Sequence, residues 1–202
     1  MIEVKNLNKS YGEHKIFEDF SLCIESGELV VLSGESGAGK TTLLNIIGAL
    51  EPFDSGQVIV NGIDINKPKN HRKYFAEHVG FLFQNFVLIE DMTVRKNLSL
   101  IRKANSSGVS MEEALKRVGL LDKIGSKVYT LSGGEQQRIA LARLMIKKCE
   151  IILADEPTGS LDRRNANQVL SILESLNAAG KTVVIVTHDE SIKQRGWRVI
   201  EL

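Results

Sequence analysis

The densest chemistry of the chain lies in Gly34-Glu35-Ser36-Gly37-Ala38-Gly39-Lys40-Thr41-Thr42. This run fits the phosphate-binding pattern G-x-x-x-x-G-K-[ST]. A polyphosphate needs many donors at close range. Glycines let the backbone approach and turn successive N–H groups inward. Lys40 supplies a mobile positive charge for the outer phosphates, and Thr41 offers a hydroxyl to Mg²⁺. The bland alternative is a glycine-rich turn with a chance lysine. The flanks argue against it: Leu29-Val30-Val31-Leu32 reads as a short buried strand, and Thr42-Leu43-Leu44-Asn45-Ile46-Ile47 reads as a helix. Strand, glycine loop and helix are the context in which such a loop binds a nucleotide.

A second set of reactive groups is Asp155-Glu156-Pro157, at the end of Ile151-Ile152-Leu153-Ala154. A buried strand ending in two acids places them at the carboxyl edge of a sheet, where open α/β sheets bind ligands. Asp155 can hold Mg²⁺ directly or through water, and Glu156 can polarise an attacking water as general base. Two acids on a loop are commonplace; the phosphate loop supplies the reason for a Mg²⁺ partner, which takes one or two carboxylates plus phosphates.

A third is Leu131-Ser132-Gly133-Gly134-Glu135-Gln136-Gln137-Arg138, opening a helix to about Lys147. Ser132 and Glu135 fit a capping box. That accounts for both residues but not for Gly133 and Gly134, which cost up to about 1 kcal/mol each in a helix interior. Glycines there are useful where a ligand must come close to bare amides, because a helix N-terminus is an anion site. The chain therefore carries two phosphate-binding helix starts.

Several elements must position these groups. Residues 2 to 8 and 16 to 24 alternate apolar and polar and predict an antiparallel, half-buried sheet. The helix after the phosphate loop is expected to reach about Leu50, followed by a turn at 51–56, a strand at 57–60 and a hairpin-type turn at Asn61-Gly62. Val79 to Phe83 predicts another strand. From Thr93 to about Leu121 the periodicity is helical, broken at Asn105-Ser106-Ser107-Gly108, and residues 87 to 145 read as a helical subdomain. Strands return at 150–154 and 182–186, with a helix at 163–179 between them. Such alternation predicts an α/β fold with a mostly parallel core sheet.

The chain has 202 residues, enough for one large domain with a subdomain. Its 26 Lys and Arg against 25 Asp and Glu leave a formal charge of +1, which gives no electrostatic argument for nucleic acid or an anionic membrane. No apolar run reaches the length of a membrane span, and Met1-Ile2-Glu3-Val4-Lys5 has no signal-peptide layout. Cys23 and Cys149 are far apart, which suggests reduced, cytosolic thiols; Cys23 is expected to be a small core hydrophobe.

Over nearly its whole length the sequence resembles the ATP-binding cassette (ABC) ATPases. Leu131-Ser132-Gly133-Gly134-Glu135-Gln136 looks like the family signature, and other motifs fall in order. The resemblance implies that Tyr11 stacks on adenine, that Gln84 after Phe81-Leu82-Phe83 senses Mg²⁺ and couples to the transporter, that Ser160-Leu161-Asp162 crosses a dimer, and that His188 sits near the γ-phosphate. Without it, Tyr11 reads as cover for a strand end, Gln84 as a plain strand-end residue and His188 as a helix cap or solvated loop residue. The family fold is a P-loop NTPase with an antiparallel β subdomain and an α-helical subdomain. Two cassettes face head to tail, so that the phosphate loop of one and the signature serine of the other clasp each ATP. The resemblance thus implies an ATPase using ATP and Mg²⁺, a homodimer closing on ATP, and a separate transmembrane permease. It also implies that membrane contact comes only through that permease, from the cytoplasmic face, with no nucleic acid as partner.

The segments from Asp155 to Asp162 and from Phe83 to Phe86 look like the branch serving lipoprotein release, macrolide or antimicrobial-peptide efflux and the cell-division complex; the short chain is also like bacteriocin-export cassettes. Cys149 stands where the family usually has proline and Trp197 where aspartate is common, departures outside the nucleotide motifs. Rival readings are a cassette that transmits force to a cell-envelope partner without transport, and a non-transport ABC ATPase. The chain has neither the long coiled-coil insertion of repair types nor the second cassette of translation types. Phe86, Val87 and Leu88 are expected to offer the permease an apolar contact, unless they belong to the core of the helical subdomain.

Overall fold

The computed structural model describes residues 1–202. Strands β1 (Ile2–Tyr11) and β2 (His14–Ile24) form an antiparallel ribbon, completed by β4 (Ser55–Val60) and β5 (Ile63–Asp64) in the order β2-β1-β4-β5. The predicted hairpin at Asn61-Gly62 joins β4 to β5, and both turn residues take positive φ. Between these pairs run β3 (Leu29–Ser33), buried throughout, and helix α1 (Lys40–Ile47). Helix α1 stops short of the expected Leu50. Gly48 caps it, and a β-carbon there would lie 2.5 Å from the Phe81 ring, so the close approach of the next layer requires glycine at the stop.

Helix α2 (Pro68–Lys73) continues through one π turn into β6 (Val79–Leu82). Then come α3 (Val94–Ser99), α4 (Met111–Arg117) and α5 (Gly133–Ile146). The helical periodicity between 93 and 121 survives as two short helices, capped by Thr93 and Ser110, with a wider break than the Asn105–Gly108 cluster alone indicated. The chain closes with β7 (Ile151–Asp155), α6 (Arg163–Ala178), β8 (Thr182–Val186), α7 (Glu190–Lys193) and β9 (Arg198–Glu201).

The second sheet is parallel throughout, in the order β6-β7-β8-β3-β9. Period-two alternation sorts its side chains into two cores. Val31, Ile152, Ala154, Val183 and Ile185 pack with α5, α6 and the shorter helices. Val30, Leu32, Ile151, Leu153, Val184 and Val186 pack with α1 and the antiparallel sheet. Covered on both faces, these strands read as continuous apolar runs, as parallel strands must.

The register matters most for function. Leu82 pairs with Ala154, Asp155 with Val186, and Val186 with Leu32. The carboxyl ends of β6, β7, β8 and β3 therefore lie level and side by side. Each leads directly into one of the chemically marked segments.

Cys149 is buried beside Gly80, and burial pushes its thiol above the ordinary range. Cys23 corrects the expectation of a core hydrophobe, because it is exposed. Leu22 and Ile24 take the inward positions of β2, so the strand period turns Cys23 to the opposite face.

Candidate active site

The phosphate loop owes its shape to glycine at the positions that turn it. Gly34, Gly37 and Gly39 all have positive φ. Gly39 is constrained twice over: its φ is 89°, and a β-carbon would come within 2.5 Å of Ile16 and 2.8 Å of the Phe17 ring. It also begins α1 with no side-chain cap. Within the loop only the Ala38 amide bonds back, to the Glu35 carbonyl, and the amides of Gly37, Gly39, Lys40, Thr41 and Thr42 have no partner in the chain. A row of bare N–H groups at a helix start is an anion cradle. The Lys40 ammonium donates to the carbonyls of Gly34 at 2.8 Å and Glu35 at 2.6 Å, which holds it over the loop it would serve.

Ser36, Gly37, Gly39, Lys40, Thr41 and Thr42 line a cleft of about 750 Å³ together with Glu156, Val186 and His188. His14 and Ile16 of β2 also line it, and sequence reading assigned neither. Their only sequence signal is that they follow Tyr11-Gly12 across a tight turn. A neighbouring cleft of about 570 Å³ is lined by Phe83, Gln84, Asn85, Phe86, Asp155 and Ser160. The two clefts meet where the Thr41 hydroxyl donates to Asp155 Oδ1 at 3.2 Å.

Glu156 has φ 42°, a left-handed backbone uncommon for a residue with a side chain. Strain of this kind gathers at functional sites. Its carboxylate is held by three donors from the end of β8. Thr187 Oγ1 donates to Oε2 at 3.0 Å, the His188 amide donates to Oε1 at 3.0 Å, and His188 Nδ1 lies 2.7 Å from Oε1. Thr187 is fully buried, and its hydroxyl accepts the Asp189 amide at 3.1 Å while donating to Glu156. No sequence signal singled out Thr187.

Asp155 lies at the level where β7 meets Val186 of β8. Burial pushes its carboxyl above the usual range; the Thr41 hydroxyl pulls it the other way, and the Glu156 carboxylate adds to the rise. A cation there would remove that penalty. The donors at hand are a hydroxyl on Thr41, a carboxylate on Asp155 and an amide on Gln84, all hard oxygen ligands that suit Mg²⁺. No group of three or more His, Cys, Asp or Glu forms a protein cage for a metal.

The remaining sequence-marked residues lie elsewhere. Tyr11 is 48% exposed and lines neither cleft; Lys9 sits 4.4 Å over its ring and its hydroxyl donates to Glu51 at 2.9 Å. Ser132, Gly133, Gly134 and Glu135 also line neither cleft. The capping box is present: the Ser132 amide donates to Glu135 Oε2 at 2.8 Å, the Ser132 hydroxyl to the same oxygen at 2.9 Å, and the Glu135 amide to Ser132 Oγ. The Ser132 amide, with the Ser132 hydroxyl assisting, holds the Glu135 carboxyl below its usual range. Gly134 has a packing reason of its own. It is buried, and a β-carbon would lie 2.7 Å from the Asn165 side chain, so packing within the chain requires glycine there whether or not a ligand also approaches. Gly133 is different: it is exposed, with only Phe86 Cζ in ordinary contact at 3.6 Å.

The family described as "ABC transporter" matches residues 17–159. The macrolide export ATP-binding/permease proteins MacB of Campylobacter jejuni (strain 81-176) and Neisseria meningitidis (serogroup A) are 42% and 39% identical over the whole chain. The chain spans 33% of each, about a third of the length of the curated relatives it matches. The cassette MJ0796, in a dimeric post-hydrolysis structure bound to ADP and Pi, superposes with a TM-score of 0.85 at 37% identity, covering 100% of this chain and 94% of that one. A second dimeric structure of MJ0796, a bacterial ABC transporter cassette, gives 0.86 at 38% identity with the same coverage. The match over most of the chain, the superposition, and a phosphate loop set beside Asp155, Glu156 and His188 agree: the chain belongs to the ABC transporter family and is an ATP-binding, ATP-hydrolysing cassette of it.

Proposed function

We propose that residues 1–202 act as one cassette that binds MgATP between its 34–42 loop and the Ser132–Glu135 helix start of a second copy, and that hydrolysis of this ATP drives a transmembrane permease of export or efflux type. The reading rests on the separation just described. Lys40, Glu156 and His188 share one cleft, whereas the second anion-binding helix start lines no part of it. One chain thus supplies two complementary halves of a site. The dimeric MJ0796 structures and the macrolide export relatives support the dimer and the export reading.

In this assignment the amides and glycines from Gly34 to Thr42 cradle the β- and γ-phosphates, and Lys40 leaves its two carbonyls to neutralise them. Glu156 is the general base. An ionised carboxylate has about four acceptor positions, and Thr187 and His188 occupy three in this arrangement, leaving one for the attacking water. His188, held to Glu156 through its amide and ring Nδ1, stands in the same cleft beside the γ-phosphate. Mg²⁺ held by Thr41 and Asp155, with Gln84 beside them, would neutralise charge on the phosphates as they part. Tyr11, its ring fixed by Lys9 and Glu51, offers a face to adenine. Ser132, Gly133, Gly134 and Glu135 serve the opposite copy.

The permease meets the cassette near Gln84 and the helical subdomain, about residues 87 to 145, from the cytoplasmic face of the membrane. Phe86, Val87 and Leu88 divide in this role. Val87 is 51% exposed and Ile89 44%, whereas Leu88 packs on the core. The contact is therefore built on Val87 and Ile89 more than on Leu88. No helix is long and apolar enough to cross a membrane.

The test is Ser132→Arg. ATP affinity of the monomer should stay within about threefold of wild type, and hydrolysis should fall by at least about a hundredfold. Loss of ATP binding in the isolated monomer would overturn the role across the dimer.

A further inference from the structure

Between β6 and α3 the chain takes an unusual path. Phe86 and Val87 are consecutive non-glycine residues with φ 59° and 48°. Each left-handed residue of this kind is disfavoured by roughly tenfold, and for β-branched Val87 the conformation is an outlier. The turn is tight as well: the Val87 amide donates to the Asn85 carbonyl at 2.6 Å, across the single residue Phe86. Such three-residue turns with positive φ are strained.

Two neighbours over-determine this path. Arg143 of α5 donates from Nη1 to the Val87 carbonyl at 2.6 Å and from Nη2 to the Phe86 carbonyl at 3.2 Å. One guanidinium thus grips both strained residues. Fully buried Asn97 anchors the next residue but one, accepting the Ile89 amide at 2.8 Å and donating to the Ile89 carbonyl at 3.0 Å. The clamp is costly to maintain, because burial disfavours the Arg143 charge. No carboxylate pairs with Arg143; its polar contacts are the two carbonyls.

The geometry points to Arg143 as a positioning residue for Gln84. It holds the 84–88 turn in its strained form, and so ties Gln84, two residues upstream, to the helix that begins at Ser132. Gln84 shares its cleft with Asp155 and Phe86. The Phe86 ring reaches the other end of the same helix, 3.6 Å from where a Gly133 β-carbon would stand. The turn is therefore held to α5 at two points, Gly133 and Arg143. A shift of α5 on its N-terminal contact with a second copy would be passed to Gln84 as a change in the turn. The inference rests on the reading of Gln84 as a residue of the Mg²⁺ site.

The test measures kcat, the KM for ATP and the thermal midpoint of the full cassette carrying Arg143→Gln, Arg143→Lys, Gln84→Ala and the pair Arg143→Gln/Val87→Gly. Arg143→Gln should lower kcat about tenfold, with the KM for ATP within about threefold, because the phosphate loop is untouched. Arg143→Lys keeps the charge but not the fork and should fall between. Glycine adopts the left-handed turn without a clamp, so the paired variant should recover at least about threefold of the lost kcat. A residue that only stabilised the fold would show recovery in the midpoint but none in kcat. Arg143→Gln at wild-type kcat while Gln84→Ala is slow, or a paired variant as slow as Arg143→Gln, would overturn the inference; if Arg143→Gln does not fold, Arg143→Lys with and without Val87→Gly decides on the same terms. Failure of the Gln84 reading shows separately, as Gln84→Ala at wild-type kcat.

Discussion

His188 grips Glu156 twice, by its backbone amide at 3.0 Å and by ring Nδ1 at 2.7 Å, both on the same carboxylate oxygen. The two residues follow neighbouring strands, Glu156 one residue beyond Asp155 and His188 two beyond its partner Val186. The proposed base and the residue proposed to face the phosphate are thereby held together by the fold itself.

Glu156→Gln should keep ATP binding and lose hydrolysis by about a hundredfold or more, since a positioned general base contributes on that scale. The amide keeps the shape of the carboxylate, an oxygen for the His188 amide and an NH₂ that can donate to the Thr187 hydroxyl. The variant should therefore accumulate as an ATP-bound dimer, visible by size-exclusion chromatography with light scattering. Hydrolysis at the wild-type rate would remove Glu156 from the role of base.

Thr187 is the hidden half of the same arrangement. Its hydroxyl ties Glu156 Oε2 to the Asp189 amide from a fully buried position. Thr187→Val keeps the volume and removes both bonds. A hydrogen bond to a charged group is worth about 1.5–3 kcal/mol, so kcat should fall by about tenfold or more with little change in the KM for ATP. Thr187→Ser should restore most of the rate. Equal rates for the valine and serine variants would show that only packing matters there.

Asp155 gives a stability prediction with a definite sign. Burial, with the Glu156 charge adding to it, raises its carboxyl in the folded state. Between the unfolded and folded pKa values the native protein binds the proton more tightly, so stability falls as pH rises through that window and the loss persists above it. Asp155→Asn removes that cost and retains an oxygen for Thr41. Without nucleotide or metal, the variant should melt higher than wild type at neutral pH, and the gap should close on acidification below the usual carboxylate range. A lower midpoint for the variant at neutral pH would contradict this assignment.

Gly133 and Gly134 should part company when each is changed to alanine. At Gly134 the new methyl would meet Asn165, which accepts from Arg138 and donates to Asp162 at 2.6 Å, so the cost in stability should be about 1–3 kcal/mol. At Gly133 the site is open, and alanine should hold or raise stability by up to about 1 kcal/mol. A loss of hydrolysis in Gly133→Ala without a loss of stability would place the ligand at that amide. Unchanged hydrolysis would reduce Gly133 to a helix start.

The sequence by itself determined the local chemistry. The glycine spacing from 34 to 39 dictates a loop of bare amides, because only glycine turns the backbone that way. The capping box at Ser132 and Glu135 follows from residue types three apart. The parallel strands declared themselves as unbroken apolar runs, because both faces are covered. Local pattern fell short where one residue's surroundings lay far along the chain. Cys23 looks apolar in a list of residues, yet the phase of Leu22 and Ile24 turns it outward. Gly134 reads locally as room for a ligand, yet Asn165, on another helix, gives it a packing reason as well. Tertiary structure alone decided which strands are neighbours. The order β6-β7-β8-β3, with its ends in register, sets Gln84, Asp155 and Glu156, His188 and the phosphate loop along one edge. It also decided which polar groups support them. Thr187 under Glu156, and Arg143 on the strained turn at Phe86 and Val87, depend on hydrogen bonds between residues 31 and 57 positions apart, which no local pattern encodes.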